Sequence, residues 1–254
     1  MAIVFITGAT SGFGRASALM FAKNGWDVII NGRRTDRLNA LEDEIHSLQQ
    51  GTRVLKLPFD VRDRHLVKES IEQLKDDWKQ VDVLVNNAGL ASGLSFIHEG
   101  NIDDWETMID TNVKGLLYVS RAIMPGMVER KSGHIINISS IAGKEAYPKG
   151  NVYCATKHAV DALTKSMRID LLPFGIRVTS VDPGAAETEF SIVRFGGDKQ
   201  KADQVYKGYK PLMAEDVADV IFYAATRPPH VTLNDILITP LAQANTSNFH
   251  KENL

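Results

Sequence analysis

Short apolar runs rich in Val and Ile recur along the chain, at residues 2–7, 27–31, 53–57, 81–85, 134–138, 177–181 and 236–239. Four to six such residues without polar alternation form the pattern of a strand covered on both faces. Between the runs, apolar positions spaced at the helical period predict helices over 14–23, 35–48, 64–78, 103–128, 152–172 and 214–225. Strand then helix, repeated, predicts an α/β protein with a doubly wound, mostly seven-stranded parallel sheet and helices on both faces. The chain has no internal repeat, linker or low-complexity tract, so 1–254 reads as one domain. Three places break the rhythm. Residues 184–211 are rich in Gly and charge and lack a strand, which implies a functional lid or a disordered segment. The tail, 241–254, is polar, and its end is expected to fray unless a partner subunit holds it. Pro125, inside the fourth helix, is expected to kink or break it.

Composition narrows the function. With 29 Lys and Arg against 31 Asp and Glu, the net charge is −2. No basic field recruits nucleic acid, and the basic stretch 121–131 is a helix face and its end. Mean hydropathy is −0.14, and no run approaches the roughly 18 apolar residues of a membrane span. The first residues lack the order of a secretory signal, so a cytoplasmic protein is expected. The single cysteine, Cys154, excludes an internal disulfide or a Cys-based zinc site. It lies about 100° round a helix from Tyr153 and reads as packing. The seven histidines show no ligand spacing, so no metal site is expected.

Candidate chemistry sits at the ends of the strands. The first strand enters Thr7-Gly8-Ala9-Thr10-Ser11-Gly12-Phe13-Gly14 and then a helix. Glycines let backbone approach a pyrophosphate, and a helix N-terminus offers free N–H groups, so this turn predicts a dinucleotide site in a Rossmann-type, three-layer sandwich. The second strand ends in Asn31-Gly32-Arg33-Arg34, without the acid that would take the ribose hydroxyls of NAD. Arg33 and Arg34 either fork onto a 2′-phosphate or are solvated residues ahead of a helix, with Asp36 a first-turn acid. NADP is favoured. Further on, Tyr153 and Lys157 stand at i and i+4 on a predicted helix. An ammonium one turn away favours the phenolate, which would bring a phenol of ordinary pKa near 10 into use as a proton donor and acceptor.

The glycine turn, Asn86-Asn87-Ala88-Gly89, Ser140, Tyr153 with Lys157, Pro183-Gly184 and Thr188 together resemble the short-chain dehydrogenase/reductase family, and the resemblance runs along essentially the whole chain. It implies that Tyr153 exchanges a proton with the substrate oxygen and that Ser140, thirteen residues earlier, hydrogen-bonds the same oxygen. Lys157 would lower the pKa of Tyr153 and grip the nicotinamide ribose, and Asn112 would hold a water linking Lys157 to solvent. Gly8 to Gly14 would cradle the pyrophosphate, and Asp60-Val61 would hold the adenine. Asn87, with Ala88 and Gly89, would border the adenosine ribose. Pro183, Gly184 and Thr188 would contact the nicotinamide and its phosphate.

The stretches 104–112 and 188–195 are similar to the branch that oxidises serine, allo-threonine and related 3-hydroxy acids with NADP and reduces malonic semialdehyde. Arg194, in the excursion, would then anchor the substrate carboxylate or, alternatively, form a structural salt bridge. The resemblance also implies a homotetramer joined through the predicted helices at 103–128 and 152–172 and the last strand. Other readings remain open: the same mechanism on another ketone, sugar or steroid alcohol, or a non-catalytic NADP-sensing protein.

Overall fold

A computed structural model describes residues 1–48 and 50–252. Seven strands, β1 (Ile3–Ile6), β2 (Asp27–Asn31), β3 (Val54–Leu57), β4 (Val83–Asn86), β5 (His134–Ile138), β6 (Arg177–Pro183) and β7 (Asp235–Ile238), pair in parallel. Their order is β3-β2-β1-β4-β5-β6-β7. The winding reverses between β1 and β4, where Ile6 pairs with Val85. Such a switch point opens a crevice at the carboxyl ends of the strands.

Side chains alternate across the sheet and build a core on each face. Val4, Ile6, Val28 and Ile30 pack with α1 (Gly12–Lys23), α2 (Thr35–Ser47) and α9 (Ala214–Ala225). Ile3, Phe5, Ile29 and Leu84 pack with α3 (Arg64–Glu72), α5 (Leu116–Arg130) and α6 (Asn151–Leu171). The predicted three layers are therefore present. A smaller apolar cluster joins Met108 of α4 (Ile102–Ile109) to Ala142, Tyr153 and Cys154.

Several expectations need correction. The third helix stops at Glu72 instead of 78, and Trp78 belongs to a separate 3₁₀ turn. The helix of α5 runs unbroken through Pro125. Proline removes the N–H that would bond the Arg121 carbonyl, but both residues are exposed, so water can satisfy that oxygen. The irregularity lies upstream, where 110–115 widens into π-helix.

The excursion is an ordered lid of two short helices. These are α7 (Glu189–Arg194), capped by Thr188, and α8 (Lys199–Val205), capped by Asp198. Over its described part the tail is tied down by backbone hydrogen bonds. His250 N donates to Ala242 O at 2.8 Å, and Glu252 N donates to Gly208 O of the lid at 2.8 Å. Within the tail, Gln243 is buried against Gly184, where a Cβ would stand 2.2 Å from the Gln243 Oε1. Residues 253 and 254 lie outside the described residues.

Candidate active site

A cavity of about 580 Å³ opens at the carboxyl ends of the strands, between the glycine turn, the loops after β2, β4 and β5, the end of β6, and α7. That volume suits a small-molecule or cofactor site. Gly8 has φ +65°, and a Cβ there would stand 2.9 Å from Ala88 Cα. Only glycine lets the turn lie so close to the loop after β4. Thr10, Ser11, Gly12 and Phe13 also line the cavity, but Ala9 and Gly14 do not. Ala9 is fully buried. A Cβ on Gly14 would stand 2.4 Å from both Asn87 Nδ2 and Gly8 O. Those two expected contacts are therefore packing positions that seat α1 beneath the turn.

In the loop after β4, Asn87 donates through Nδ2 to Thr7 O at 2.8 Å and Gly8 O at 3.1 Å. It ties β4 to the glycine turn while it, Ala88 and Gly89 line the cavity. Arg33, Arg34, Asp60 and Val61 form the far wall. Arg34 donates through Nη2 to Thr10 Oγ1 at 3.0 Å and Ser11 Oγ at 3.3 Å. Arg33 stands 3.6 Å from Asp60. Burial pushes the Asp60 carboxyl up, but hydrogen bonds from Arg62 and the charges of Arg62 and Arg33 outweigh it and hold it below its ordinary value.

At the reacting end, Ser140, Tyr153, Lys157, Pro183, Gly184 and Thr188 meet on the opposite wall. Ser139 and Ser140 both reach it, and their bonds tell them apart. Ser139 Oγ donates to Lys157 O at 3.2 Å, whereas Ser140 Oγ donates to Pro183 O at 3.3 Å, accepts from Ala142 N at 3.1 Å and acts on the Tyr153 phenol. Lys157 Nζ donates to Ile138 O at 2.9 Å and stands 5.9 Å from the Tyr153 ring centre. Burial pulls the Lys157 ammonium down from 10.5 to about 8, against the charge of Asp182.

Burial likewise pushes the Tyr153 phenol above its ordinary value. The groups that pull it back are the Ser140 hydroxyl and Arg194. The lowering expected from Lys157 is thus not what this arrangement gives, because desolvation of the phenolate outweighs every neighbouring charge. At neutral pH Tyr153 keeps its proton and is poised as a donor.

Asn112 lies in the π-helical segment, buried and off the cavity wall. Its Nδ2 donates to Leu90 O at 2.8 Å and Thr156 Oγ1 at 3.0 Å, and its Oδ1 accepts from Leu90 N at 2.9 Å. It clamps the loop after β4 to α6. A Cβ on Gly89 would stand 3.2 Å from Asn112 Oδ1 and 3.4 Å from Lys157 Nζ, so that glycine leaves room for both.

Four contributors escaped the sequence reading. Phe190 packs its ring 5.5 Å from that of Tyr153, and the Tyr147 ring lies 5.5 Å from the Arg194 guanidinium. Arg37 holds Glu189, and Gln243 Oε1 accepts from Ala185 N at 2.8 Å. The N-cap residue Thr188 advertised α7, which carries Phe190, and Arg37 lies on α2. Arg194 itself lies over the rings of Tyr147 and Tyr153 at 5.5 and 5.8 Å, with Nε 3.4 Å from Gly93 O.

This crevice, with its glycine turn and its Ser, Tyr and Lys side chains, is the arrangement of a dinucleotide-dependent dehydrogenase. The model of the short chain dehydrogenase family matches residues 2–195. The NADP-dependent 3-hydroxy acid dehydrogenase YdfG of Salmonella typhi is 48% identical over 95% of this chain and 96% of its own. Sulfoacetaldehyde reductase 2 of Chromohalobacter salexigens is 48% identical over 95% of each chain. Among solved structures, the closed form of a serine dehydrogenase complexed with NADP+ superposes with a TM-score of 0.91 at 44% identity, over 98% of this chain and 100% of that one. The chain belongs to the short-chain dehydrogenase family.

Proposed function

We propose that this short-chain dehydrogenase is an NADP-dependent enzyme that interconverts small 3-hydroxy acids, such as serine, allo-threonine and 3-hydroxypropionate, with their 3-oxo forms. The glycine turn fits the cofactor, since Gly8 and Gly12 line the cavity at φ +65° and +50° and present no side chain to it. Bound NADPH supplies the hydride to a carbonyl carbon, and NADP+ takes it back from the alcohol. Gly8, Thr10, Ser11, Gly12 and Phe13 would cradle the pyrophosphate, and Arg33 and Arg34 the 2′-phosphate. Asp60 and Val61 would border the adenine, and Asn87 with Ala88 and Gly89 the adenosine ribose. Pro183, Gly184 and Thr188 would border the nicotinamide half, and Lys157 its ribose. Tyr153 gives its proton to the substrate oxygen in reduction, and Ser140 hydrogen-bonds that oxygen. Asn112 would hold a water that links Lys157 to solvent.

One observation carries the substrate class. Arg194 projects over the Tyr153 ring, and no carboxylate among the described residues lies within ion-pair reach of it. A guanidinium beside the proton donor is a ready anchor for a substrate acid group. The names of the relatives agree: a 3-hydroxy acid and sulfoacetaldehyde both place an anion one carbon from the reacting carbon. Sulfoacetaldehyde is therefore a second reading of the same site.

A panel of L-serine, D-serine, allo-threonine, 3-hydroxypropionate and isethionate with NADP+ and NAD+ tests the proposal, beside Arg194→Gln. Arg194→Gln should raise KM for the acids by about tenfold or more while sparing an uncharged alcohol. Equal loss on both refutes the anchor. We further infer a homotetramer, because Ile169 and Leu172 at the end of α6 and Leu237 on the sheet edge β7 are exposed apolar residues. Light scattering at micromolar concentration checks it.

A further inference from the structure

We propose that Glu189 is an internal counter-ion that the 2′-phosphate of NADP displaces from Arg34, so that this lid residue sets how strongly NADP is preferred over NAD. The inference rests on the NADP reading above.

Glu189 is the first residue of α7, and it reaches across the cavity to the segment after β2. Arg37 Nη1 donates to both of its oxygens, at 2.6 Å to Oε1 and 2.8 Å to Oε2. Arg34 Nη1 meets only Oε2, at 3.3 Å. The pair to Arg37 is thus two-fold and close, and the pair to Arg34 is single and long. Arg34 is meanwhile fixed at the mouth of the glycine turn by Thr10 and Ser11.

An anion arriving at that mouth meets a guanidinium whose far nitrogen is already shared with a carboxylate. It can take Arg34 while Glu189 stays on Arg37, so the lid remains braced through the exchange. Burial pushes the Glu189 carboxyl up, but Arg37 and Arg34 outweigh it and hold it below its ordinary value. The group is therefore a full negative charge at neutral pH, and its repulsion of a phosphate dianion opposes NADP. NAD brings a hydroxyl to the same place and feels neither the repulsion nor the competition.

Calorimetric titration of NADP+ and NAD+ into the wild type, Glu189→Gln, Arg37→Gln and the double variant tests this at pH 7.5 and low salt. A pair this exposed is worth up to about 1 kcal/mol, so Glu189→Gln should bind NADP+ roughly three- to fivefold tighter. Its NAD+ affinity should change by less than about twofold on the same scale. Arg37→Gln leaves Glu189 wholly to Arg34 and should weaken NADP+ by a similar factor. The double variant should bind NADP+ at least as well as the wild type. If Glu189→Gln binds NADP+ no tighter, or shifts NAD+ by the same factor, the exchange is overturned and Glu189 is only a brace. A wild type that binds NADP+ and NAD+ equally removes the NADP reading and the exchange with it. A wild type that prefers NADP+, with Glu189→Gln unchanged, removes the exchange alone.

Discussion

Replacing Lys157 with Met measures what the reacting end costs the fold. Lys157 is 6% exposed, and among the described residues Nζ makes one hydrogen bond, to Ile138 O. Its pKa falls from 10.5 to about 8 on burial, a difference of 2.5. At about 1.4 kcal/mol for each pKa unit, carrying the charged side chain at pH 7 costs on the order of 3 kcal/mol. Methionine keeps the unbranched shape and drops the charge, but it leaves the Ile138 carbonyl without that donor, a loss of about 1–3 kcal/mol. The variant should therefore be as stable as the wild type at pH 7, or up to about 2 kcal/mol more so, while turnover falls by at least about 100-fold.

The sharper test is the pH dependence. The folded-state pKa lies below the unfolded one, so stability is present above pH 10.5 and is lost as pH falls towards 8. Between pH 7 and pH 9.5 the wild type should gain about 2 kcal/mol on the variant, which lacks the group. Urea unfolding followed by tryptophan fluorescence, at matched protein concentration, reads that change. A stability gap that is the same at both pH values would refute the reasoning.

Two further outcomes follow from buried groups. Tyr153→Phe should lower kcat by at least about 100-fold in reduction and leave NADP+ affinity nearly unchanged by calorimetry, because it removes the proton and little surface. His134 is depressed from 6.5 to about 3 by burial and by the charge of Arg177. Thr179 Oγ1 gives its proton to Leu233 O, so the imidazole donates from Nε2 and leaves Nδ1 buried without a partner among the described residues. Stability is present above pH 6.5 and is lost as pH falls towards 3, so the wild type should lose about 2 kcal/mol between pH 7 and pH 5 that His134→Gln keeps, as urea midpoints would report.

The apolar runs located every strand, because strands covered on both faces carry their signal in consecutive residues. β2 and β5 fall on the predicted residues, and β1 and β7 differ only at their ends. Tyr153 and Lys157 were legible for the same local reason, being one turn apart on one helix. What the sequence hid depends on distant partners. The pull of Ser140 and Arg194 on Tyr153 joins three separate segments, so spacing along the chain pointed to Lys157 instead. Gly14 looked like a cradle residue, and only its distance to Asn87 shows that it packs. The tail carries no periodicity, and its order comes from Gln243 fitting beside a glycine some sixty residues earlier. Pro125 was read from its intrinsic effect on a helix, and the exposed position of Pro125 and Arg121 lets water offset that effect.

The six-residue helix α7 delivers Glu189 to one end of the crevice and Arg194 to the other. A body that short turns as a unit, so the two ends are not separate dials for an engineer. Libraries that retarget the coenzyme through this helix will drag the range of accepted acids with them. Selections for a new acid will in turn select for or against NADP without being asked to.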